Sequence, residues 1–225
     1  MNTSDKVKLN LGCGLQCPDG WINIDSSMGA RLSKFPTLTK VLHSVIPHSW
    51  GILPNVNWPS NVKWMDITRR FPFESDSVDC IYSSHTFEHL TYSEASYVLS
   101  ECNRVLKPRG VIRIIVPDLE QMIDNYLLNK QKIPHLAAKK LMDDSLYFEI
   151  PIPDTIKGLM KFYFKKKNNH HFLYDHSGLT YQLEQVGFDG IQSMPYGESK
   201  IEDIIDIDIA SRFSGAICLE GVKFH

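Results

Sequence analysis

Five short apolar runs, separated by polar and turn-forming segments, constrain the fold more than any other feature of this sequence. They occupy residues 7–11, 21–25, 62–65, 78–82 and 111–116, and the last reads VIRIIV. Near-continuous apolar runs bounded by turn residues are typical of strands buried on both faces of a parallel sheet. A last strand is predicted over 216–222, paired with one near 190–194. Alternation of strands and helices then predicts an α/β fold around a mostly parallel sheet.

Two helices are predicted between and after these strands. Thr91 and Glu94 have the spacing of a capping box, apolar residues follow at helical spacing, and Lys107-Pro108 ends the pattern. A second helix is predicted over 177–186, with Gly187 as its C-terminal stop. The acidic stretch 201–209 (IEDIIDIDI) is interpreted as structural, with its carboxylates facing water.

Composition narrows the function classes. With 225 residues, 43% of them hydrophobic, the chain can form one large domain. A formal net charge of −2 argues against broad binding to nucleic acid. No apolar run approaches the roughly 20 residues of a membrane span, and MNTSDKVK lacks a signal-peptide core. Five cysteines without a paired C-x-x-C pattern indicate reduced thiols and a cytoplasmic location rather than a zinc module.

Two proline-containing segments fit the alternation poorly. Residues 26–60 and 119–170 are predicted to be insertions that cover the edge of the sheet, as lids or binding loops. We therefore expect a single domain over 1–225 with these two insertions.

Polar and glycine residues follow four consecutive predicted strands. Gly12 and Gly14 follow the first, Asp25 ends the second, Asp66 follows the third, and 83–85 (SSH) follows the fourth. Ligands of open α/β sheets bind outside the carboxyl ends of the strands. A carboxylate at Asp25 can accept hydrogen bonds from both hydroxyls of a ribose, so the set predicts a nucleoside pocket. We expect a side chain at Gly12 to occupy the ligand's space.

On these motifs the sequence resembles the class I S-adenosylmethionine-dependent methyltransferases. The matching pieces are LNLGCG, GWINID, WMDITRRFPFESDSVDCIYSSHTFEHL, ECNRVLKPRGVIRIIVPD and HHFLYDHSGLTYQLEQVGFDGIQSMPYGES. The chain is most similar to methyltransferases of type 11, and among them to small predicted ones associated with bacterial surface-polysaccharide genes. The resemblance implies a Rossmann-like, doubly wound, mostly parallel seven-stranded sheet with helices on both faces.

The resemblance also implies S-adenosyl-L-methionine as cofactor, S-adenosyl-L-homocysteine as product, and a set of cofactor-binding residues. The glycine loop would face the methionine part, Asp25 the ribose, Asp66 and Ile67 the adenine, and Ser83 to His85 the sulfonium. The full set is Leu11, Gly12, Cys13, Gly14, Asp25, Asp66, Ile67, Ser83, Ser84 and His85. The chain departs from its relatives between Gly14 and Trp21, where too few residues remain for a full first helix, and KPRG replaces their KPGG.

Methyl transfer to a hydroxyl requires a base, most often His or a carboxylate. His89, in HTFEHL, is the first candidate, and His170 is the second, with His171 beside it; each has an alternative interpretation as a surface or core-edge residue. Asp118 is interpreted either as a substrate-orienting group or as the cap of the following helix.

HTFEH also matches the H-x-x-E-H pattern of some zinc proteases. The pattern here follows a buried strand of a nucleoside-binding sheet, and no third ligand has the expected context, so we expect no metal. The alternative is a divalent cation at His85, Glu88 and His89, because some methyltransferases use comparable clusters to activate hydroxyls.

The expected function is methylation of a sugar hydroxyl in a glycan or glycan precursor. Alternatives are methylation of a small metabolite or natural product at O, N or C, and a non-catalytic S-adenosylmethionine-binding module. The expected partner is a small-molecule or glycan acceptor, with no nucleic acid and no transmembrane segment. Residues 161–171 (KFYFKKKNNHH) are interpreted as a solvated helix face or, alternatively, as a site for a phosphate-bearing or membrane-linked acceptor.

Overall fold

Seven strands form one sheet in the computed structural model, which describes residues 6–45, 58–146 and 169–224. Their order across the sheet is β3-β2-β1-β4-β5-β7-β6. Neighbours from β3 to β5 are parallel, whereas β7 is antiparallel to both β5 and β6. The strands are β1 (Lys8–Leu11), β2 (Ile22–Asp25), β3 (Val62–Trp64), β4 (Val78–Ser84), β5 (Leu106–Pro117), β6 (Phe188–Ser193) and β7 (Ala216–Lys223). The predicted seven-stranded, mostly parallel α/β fold is confirmed.

Six α-helices accompany the strands within the described part of the chain. They are α1 (Met28–Leu32), α2 (Pro36–Val45), α3 (Tyr92–Val105), α4 (Leu119–Lys132), α5 (Ala137–Asp144) and α6 (His176–Gln185). The predicted capping box of α3 is present in both directions, since Thr91 accepts from the Glu94 backbone and Glu94 accepts from the Thr91 backbone. No helix among the described residues is long and apolar enough to cross a membrane.

The start of β5 differs from the sequence expectation. The strand begins at Leu106, directly after α3, rather than at Val111, because Leu106 pairs with Val78 of β4. The pairing register shifts between Val78 and Cys80, so the KPRG sequence, residues 107–110, forms an irregularity inside the strand. Arg109 adopts a left-handed conformation there, with φ of 67°.

A loop of ten residues, 12–21, joins the parallel strands β1 and β2 without a helix, as the sequence predicts. Two buried asparagines hold it. Asn10 Nδ2 donates to the Gln16 carbonyl and to Asn23 Oδ1, and Asn23 Nδ2 donates to the carbonyls of Pro18 and Trp21. Side-chain amides therefore satisfy backbone groups that a helix would have paired internally.

The core lies on both faces of the sheet. Leu9, Leu11 and Ile24 belong to the larger cluster, which also contains the apolar side chains of α3 and α6. The smaller cluster includes Trp21 and Tyr82 and is covered by isoleucines of the acidic stretch 201–209.

The expectation that all acids of 201–209 face water is wrong for Asp208. Its side chain is fully buried and binds Arg113, which lies in the middle of β5 and is also fully buried. The alternation of β5 places Arg113 between Ile112 and Ile114, on the face that this acidic stretch covers.

Candidate active site

The carboxyl ends of β3, β2, β1 and β4 lie side by side in that order. Neighbouring strands are about 4.8 Å apart, so four strand ends extend over roughly 14 Å. The structure brings all the residues predicted to bind the cofactor to this edge, either at a strand end or in the connection after it. They are Leu11, Gly12, Cys13, Gly14, Asp25, Asp66, Ile67, Ser83, Ser84 and His85.

Asp25 links the glycine loop to the end of β2. Its Oδ2 accepts from the Gly14 backbone N–H at 2.9 Å, and its Oδ1 accepts from the Ser27 N–H at 2.7 Å. A carboxylate offers about four lone-pair positions, so each oxygen can accept one further hydrogen bond. The partly exposed Asp25 can therefore orient the loop and still accept from a ligand.

The two glycines of the loop have different surroundings. Both have positive φ, 68° at Gly12 and 54° at Gly14. A Cβ at Gly12 would lie 2.0 Å from Thr86 Oγ1, whereas a Cβ at Gly14 would meet nothing within 4 Å. The structure therefore corrects our reason for Gly12: a side chain there would collide with Thr86 rather than fill ligand space.

Thr86 was missed by the sequence analysis, and it ties the end of β4 to the glycine loop. Its hydroxyl lies 3.3 Å from the Leu11 carbonyl and 3.5 Å from the Gly12 carbonyl. Ser83 is similarly engaged, because its hydroxyl donates to the Leu11 carbonyl at 3.2 Å and is buried. These contacts join residues more than seventy positions apart, so no local sequence signal reveals them.

A crevice opens beside the glycine loop, on the face of the sheet that carries Tyr82. Gly12, Cys13, Ser84, Ile209 and Arg212 are among the residues that line it. Burial raises the pKa of the Cys13 thiol, as does the neighbouring Cys17, so Cys13 contributes a neutral thiol to the crevice wall.

His85 follows β4 with φ of 52°, a conformation that costs a non-glycine residue about 1–3 kcal/mol. Its Nδ1 lies 3.2 Å from Glu88 Oε1, and its Nε2 lies 3.0 Å from the Arg212 carbonyl. Burial lowers the pKa of this imidazole, but contact with the Glu88 carboxylate and the Arg212 carbonyl outweighs it, and the pKa is raised. Because both ring nitrogens face acceptors, the arrangement favours the protonated form.

His89 and His170, the two residues predicted to be catalytic, lie against each other. Their ring centroids are 5.1 Å apart at an interplanar angle of 69°. His89 lies in a 3-10 turn (Phe87–His89) rather than in a full helix. The backbone amide of His171 donates to the Glu88 carbonyl at 2.7 Å, which fixes the segment that carries His170.

The ring nitrogens of this pair have different surroundings. His89 Nδ1 lies 3.1 Å from the Asn169 carbonyl, so it carries the proton and leaves Nε2 as the acceptor. Burial lowers the pKa of His170, and neighbouring His89 and His85 lower it further, whereas Glu88 opposes the shift. His170 is therefore neutral at pH 7 and can accept a proton or a metal ion.

Asp118 caps α4, which settles its two interpretations in favour of the cap. Its Oδ1 accepts from the backbone amides of Glu120 and Gln121. It also forms an isolated parallel bridge with Tyr174, a buried residue that the sequence analysis did not single out.

A family model described as a methyltransferase domain matches residues 53–114 of the chain. Solved structures similar to it include methyltransferases described as S-adenosylmethionine-dependent from Thermotoga maritima and Archaeoglobus fulgidus, and the YcgJ protein from Bacillus subtilis. The first is 14% identical with a TM-score of 0.48, covering 96% of this chain and 81% of that one. The others are each 13% identical with TM-scores of 0.49, covering 97% and 98% of this chain and 86% and 92% of theirs.

The sheet order and the domain match lead to one assignment. A doubly wound sheet of order 3-2-1-4-5-7-6, with only the late strand β7 antiparallel to its neighbours, is the fold that the resemblance implies. The matched segment contains β3 and β4, whose carboxyl ends form half of the edge where the cofactor is predicted to bind. The chain thus matches a methyltransferase domain over residues 53–114 and has the sheet that the resemblance to class I S-adenosylmethionine-dependent methyltransferases implies, which supports methyl transfer from S-adenosyl-L-methionine.

Proposed function

We propose that the enzyme methylates a hydroxyl of a sugar, in a glycan or a glycan precursor. The observation that carries this proposal is the contact between His89 and His170, 5.1 Å between ring centroids, directly after the strand end where the sulfonium is expected. A hydroxyl is a poor nucleophile until its proton is removed, so an oxygen acceptor needs such a group. The donor's sulfonium needs no further activation.

The proposed reaction is an in-line displacement. The acceptor oxygen forms a bond to the methyl carbon as the carbon–sulfur bond breaks, and the electron pair of that bond stays on sulfur in S-adenosyl-L-homocysteine. The hydroxyl proton leaves to the histidine pair or to a group that the pair positions. Holding the oxygen near 3 Å from the methyl carbon supplies much of the rate.

The cofactor in this proposal lies across the ends of β1 to β4. Asp25 accepts from the ribose hydroxyls, and Asp66 and Ile67 lie beside the adenine. Leu11 and the loop 12–14 face the methionine part, and the segment 83–85 lies beside the sulfonium. Support comes from the free acceptor capacity of Asp25 and from the open space in front of Gly14.

We further propose that 1–225 forms one cytoplasmic domain in which the segments 26–60 and 119–170 cover the acceptor side. Helices α1 and α2 lie in the first segment, and α4 and α5 in the second. All five cysteines are free, which suits a reducing compartment. Residues 161–168 of the basic and aromatic run 161–171 lie outside the described residues, so the suggested role of this run in binding an acceptor stays a prediction.

The test is transfer of a labelled methyl group from S-adenosyl-L-methionine to a panel of nucleotide sugars and oligosaccharides, with phenols and amines as rival acceptors. We expect transfer to a sugar oxygen. His89→Ala and His170→Ala should lower turnover by roughly 10²- to 10⁴-fold with cofactor affinity nearly unchanged. The exposed His135→Ala is the matched control and should keep full turnover.

Transfer only to nitrogen or carbon acceptors would overturn the sugar assignment. Cofactor binding without transfer to any acceptor would instead support the non-catalytic alternative. If both histidine variants have a lower melting temperature and lose cofactor affinity and turnover together, the pair is structural.

A further inference from the structure

Glu88, His89 and His170 form a compact cluster of potential metal ligands. One ligand atom from each lies within 4.8 Å of the other two. Glu88 and His89 follow β4 in one 3-10 turn, whereas His170 comes from a segment eighty residues later. The metal site considered as an alternative from the sequence consisted of His85, Glu88 and His89. In the structure His85 Nε2 faces the Arg212 carbonyl, and His170 takes the third position of the cluster.

The polar atoms of this cluster lack the partners that burial normally demands. Glu88 is 1% exposed and His170 is 6% exposed. Across 6–45, 58–146 and 169–224, neither Glu88 oxygen nor His170 Nδ1 has a partner of hydrogen-bond geometry. The one close charge is His85, 3.2 Å from Glu88 Oε1. Unsatisfied buried polar groups are rare and need a ligand, a water or an ion to explain them.

His89 is already oriented as a ligand. Its Nδ1 lies 3.1 Å from the Asn169 carbonyl, which leaves the Nε2 lone pair free. Metal-binding histidines commonly donate their second ring N–H to a carbonyl or carboxylate, which fixes the tautomer and the ring orientation. A surface histidine would show no such restraint.

Two histidines and one glutamate are a ligand set of catalytic zinc sites, and they leave one coordination position open. In a tetrahedral site with metal–ligand distances of about 2.0–2.2 Å, two ligand atoms lie about 3.4 Å apart. Ligand atoms up to 4.8 Å apart must therefore approach one another by as much as roughly 1.4 Å to close this cluster around an ion. Imidazole favours Zn²⁺ and similar transition metals, whereas Mg²⁺ prefers oxygen ligands.

We propose that Glu88, His89 and His170 bind one divalent transition-metal ion whose open position takes the acceptor hydroxyl. The inference rests on the proposed function and specifies how the acceptor loses its proton: the histidines hold the ion instead of accepting the proton, the ion lowers the pKa of the bound hydroxyl, and the proton leaves to solvent. His85, whose Nδ1 lies 3.2 Å from Glu88 Oε1, is a positioning residue for Glu88.

Calorimetry of the EDTA-treated full chain with ZnCl₂, MnCl₂ and MgCl₂ tests the site directly. We expect Zn²⁺ to bind at one ion per chain and Mg²⁺ to bind far more weakly. Losing a residue that only supports a metal ligand weakens metal binding by roughly 10- to 100-fold. We expect a larger loss of Zn²⁺ affinity in each of the three ligand variants, Glu88→Gln, His89→Ala and His170→Ala. His135→Ala should bind Zn²⁺ as the unmodified chain does.

A Co²⁺ absorption spectrum of the unmodified chain avoids any dependence on how the variants fold, since four-coordinate Co²⁺ absorbs visible light far more strongly than the hydrated six-coordinate ion. Absence of Zn²⁺ and Co²⁺ binding, or Zn²⁺ binding unchanged in all three variants, would overturn the inference. Sugar methylation that persists in metal-free protein would overturn the role of the ion in the reaction but not the proposed acceptor. Metal binding without sugar methylation would overturn only the proposed acceptor.

Discussion

Two buried charged clusters, one around Arg113 within β5 and one around Glu88 in the turn after β4, differ in one respect. The Arg113 guanidinium binds Asp208 at 2.6 Å and Glu220 at 2.8 Å, and it also donates to the carbonyls of Pro195 and Glu198. Glu88, equally buried, has one ion-pair contact, and neither of its oxygens has a hydrogen bond from the described residues.

The difference separates a structural cluster from a functional one. Four groups engage Arg113, and Glu220 additionally accepts from Ser199 and from the Lys200 amide, so nothing in that cluster remains for a ligand. This cluster fixes the C-terminal segment that forms one wall of the crevice. Buried polar groups stabilise a fold only when they are satisfied, so a buried group left open indicates a place where something else binds.

The largest effect is expected from breaking the satisfied cluster. Arg113→Ala leaves Asp208 and Glu220 buried without their cation, and losing one partner of a buried pair costs about 3–5 kcal/mol. Urea unfolding at pH 7 measures the loss of stability. The exposed Arg70→Ala should change it little. A loss below about 1 kcal/mol for Arg113→Ala would mean that the cluster is not structural.

Asp25 extends the comparison to a carboxylate that is satisfied yet accessible. Asp25→Ala removes the acceptor for the Gly14 and Ser27 amides and for the ribose. We expect cofactor affinity to fall by about 1.5–3 kcal/mol, the value of hydrogen bonds to a charged group. Calorimetry with S-adenosyl-L-homocysteine measures it, with the exposed Asp19→Ala in the same loop as control. Unchanged affinity would remove the ribose assignment.

Glu88→Gln probes the open cluster, and its effect on stability should be much smaller than that of Arg113→Ala. The substitution keeps the shape of the side chain and removes a buried charge. Its one charged neighbour is His85, which can lose its proton near neutral pH. The substitution therefore leaves no buried charge without a counter-charge. We expect the free energy of unfolding to change by less than about 1 kcal/mol in metal-free buffer. A loss of 3 kcal/mol or more in urea unfolding would make Glu88 structural.

The fold was predictable because its signals are local. Apolar runs identified the strands, and the Thr91 capping box identified the start of α3. The start of β5 was missed since KPRG looks like a turn, and only pairing of Leu106 with Val78 extends the strand. The meeting of His89 with His170 could be expected from the order of the elements, because both belong to segments at the carboxyl edge of the sheet.

The clusters themselves could not be read from the sequence in the same way. Arg113 looks like an interruption of an apolar strand, and its partners Asp208 and Glu220 lie 95 and 107 positions away. Whether an acid of the stretch 201–209 faces water or a buried arginine depends on how that segment crosses the sheet. Thr86 acquires its role only because β4 lies beside β1.

Tyr174→Phe gives the smallest expected effect and the sharpest test of whether the Glu88 side is open. Tyr174 is 1% exposed, and its hydroxyl has no hydrogen-bond partner among the residues described. Burial raises its pKa, and the nearby Glu88 carboxylate raises it further. Its ring packs on Phe172, 4.9 Å between centroids, and phenylalanine keeps that contact.

Removing a hydroxyl that makes no hydrogen bond should change stability by less than about 0.5 kcal/mol, the lower limit for a bond that is made. Urea unfolding of Tyr174→Phe beside the unmodified chain measures this. Tyr97→Phe, at a half-exposed position on α3, controls for the chemistry of the change. If Tyr174→Phe costs more than 1 kcal/mol, its hydroxyl has a partner in solution, and the interior at Tyr174 is then satisfied as it is around Arg113. If stability is unchanged, the hydroxyl has no partner in solution either, and the interior at Tyr174 then differs from the satisfied cluster of Arg113.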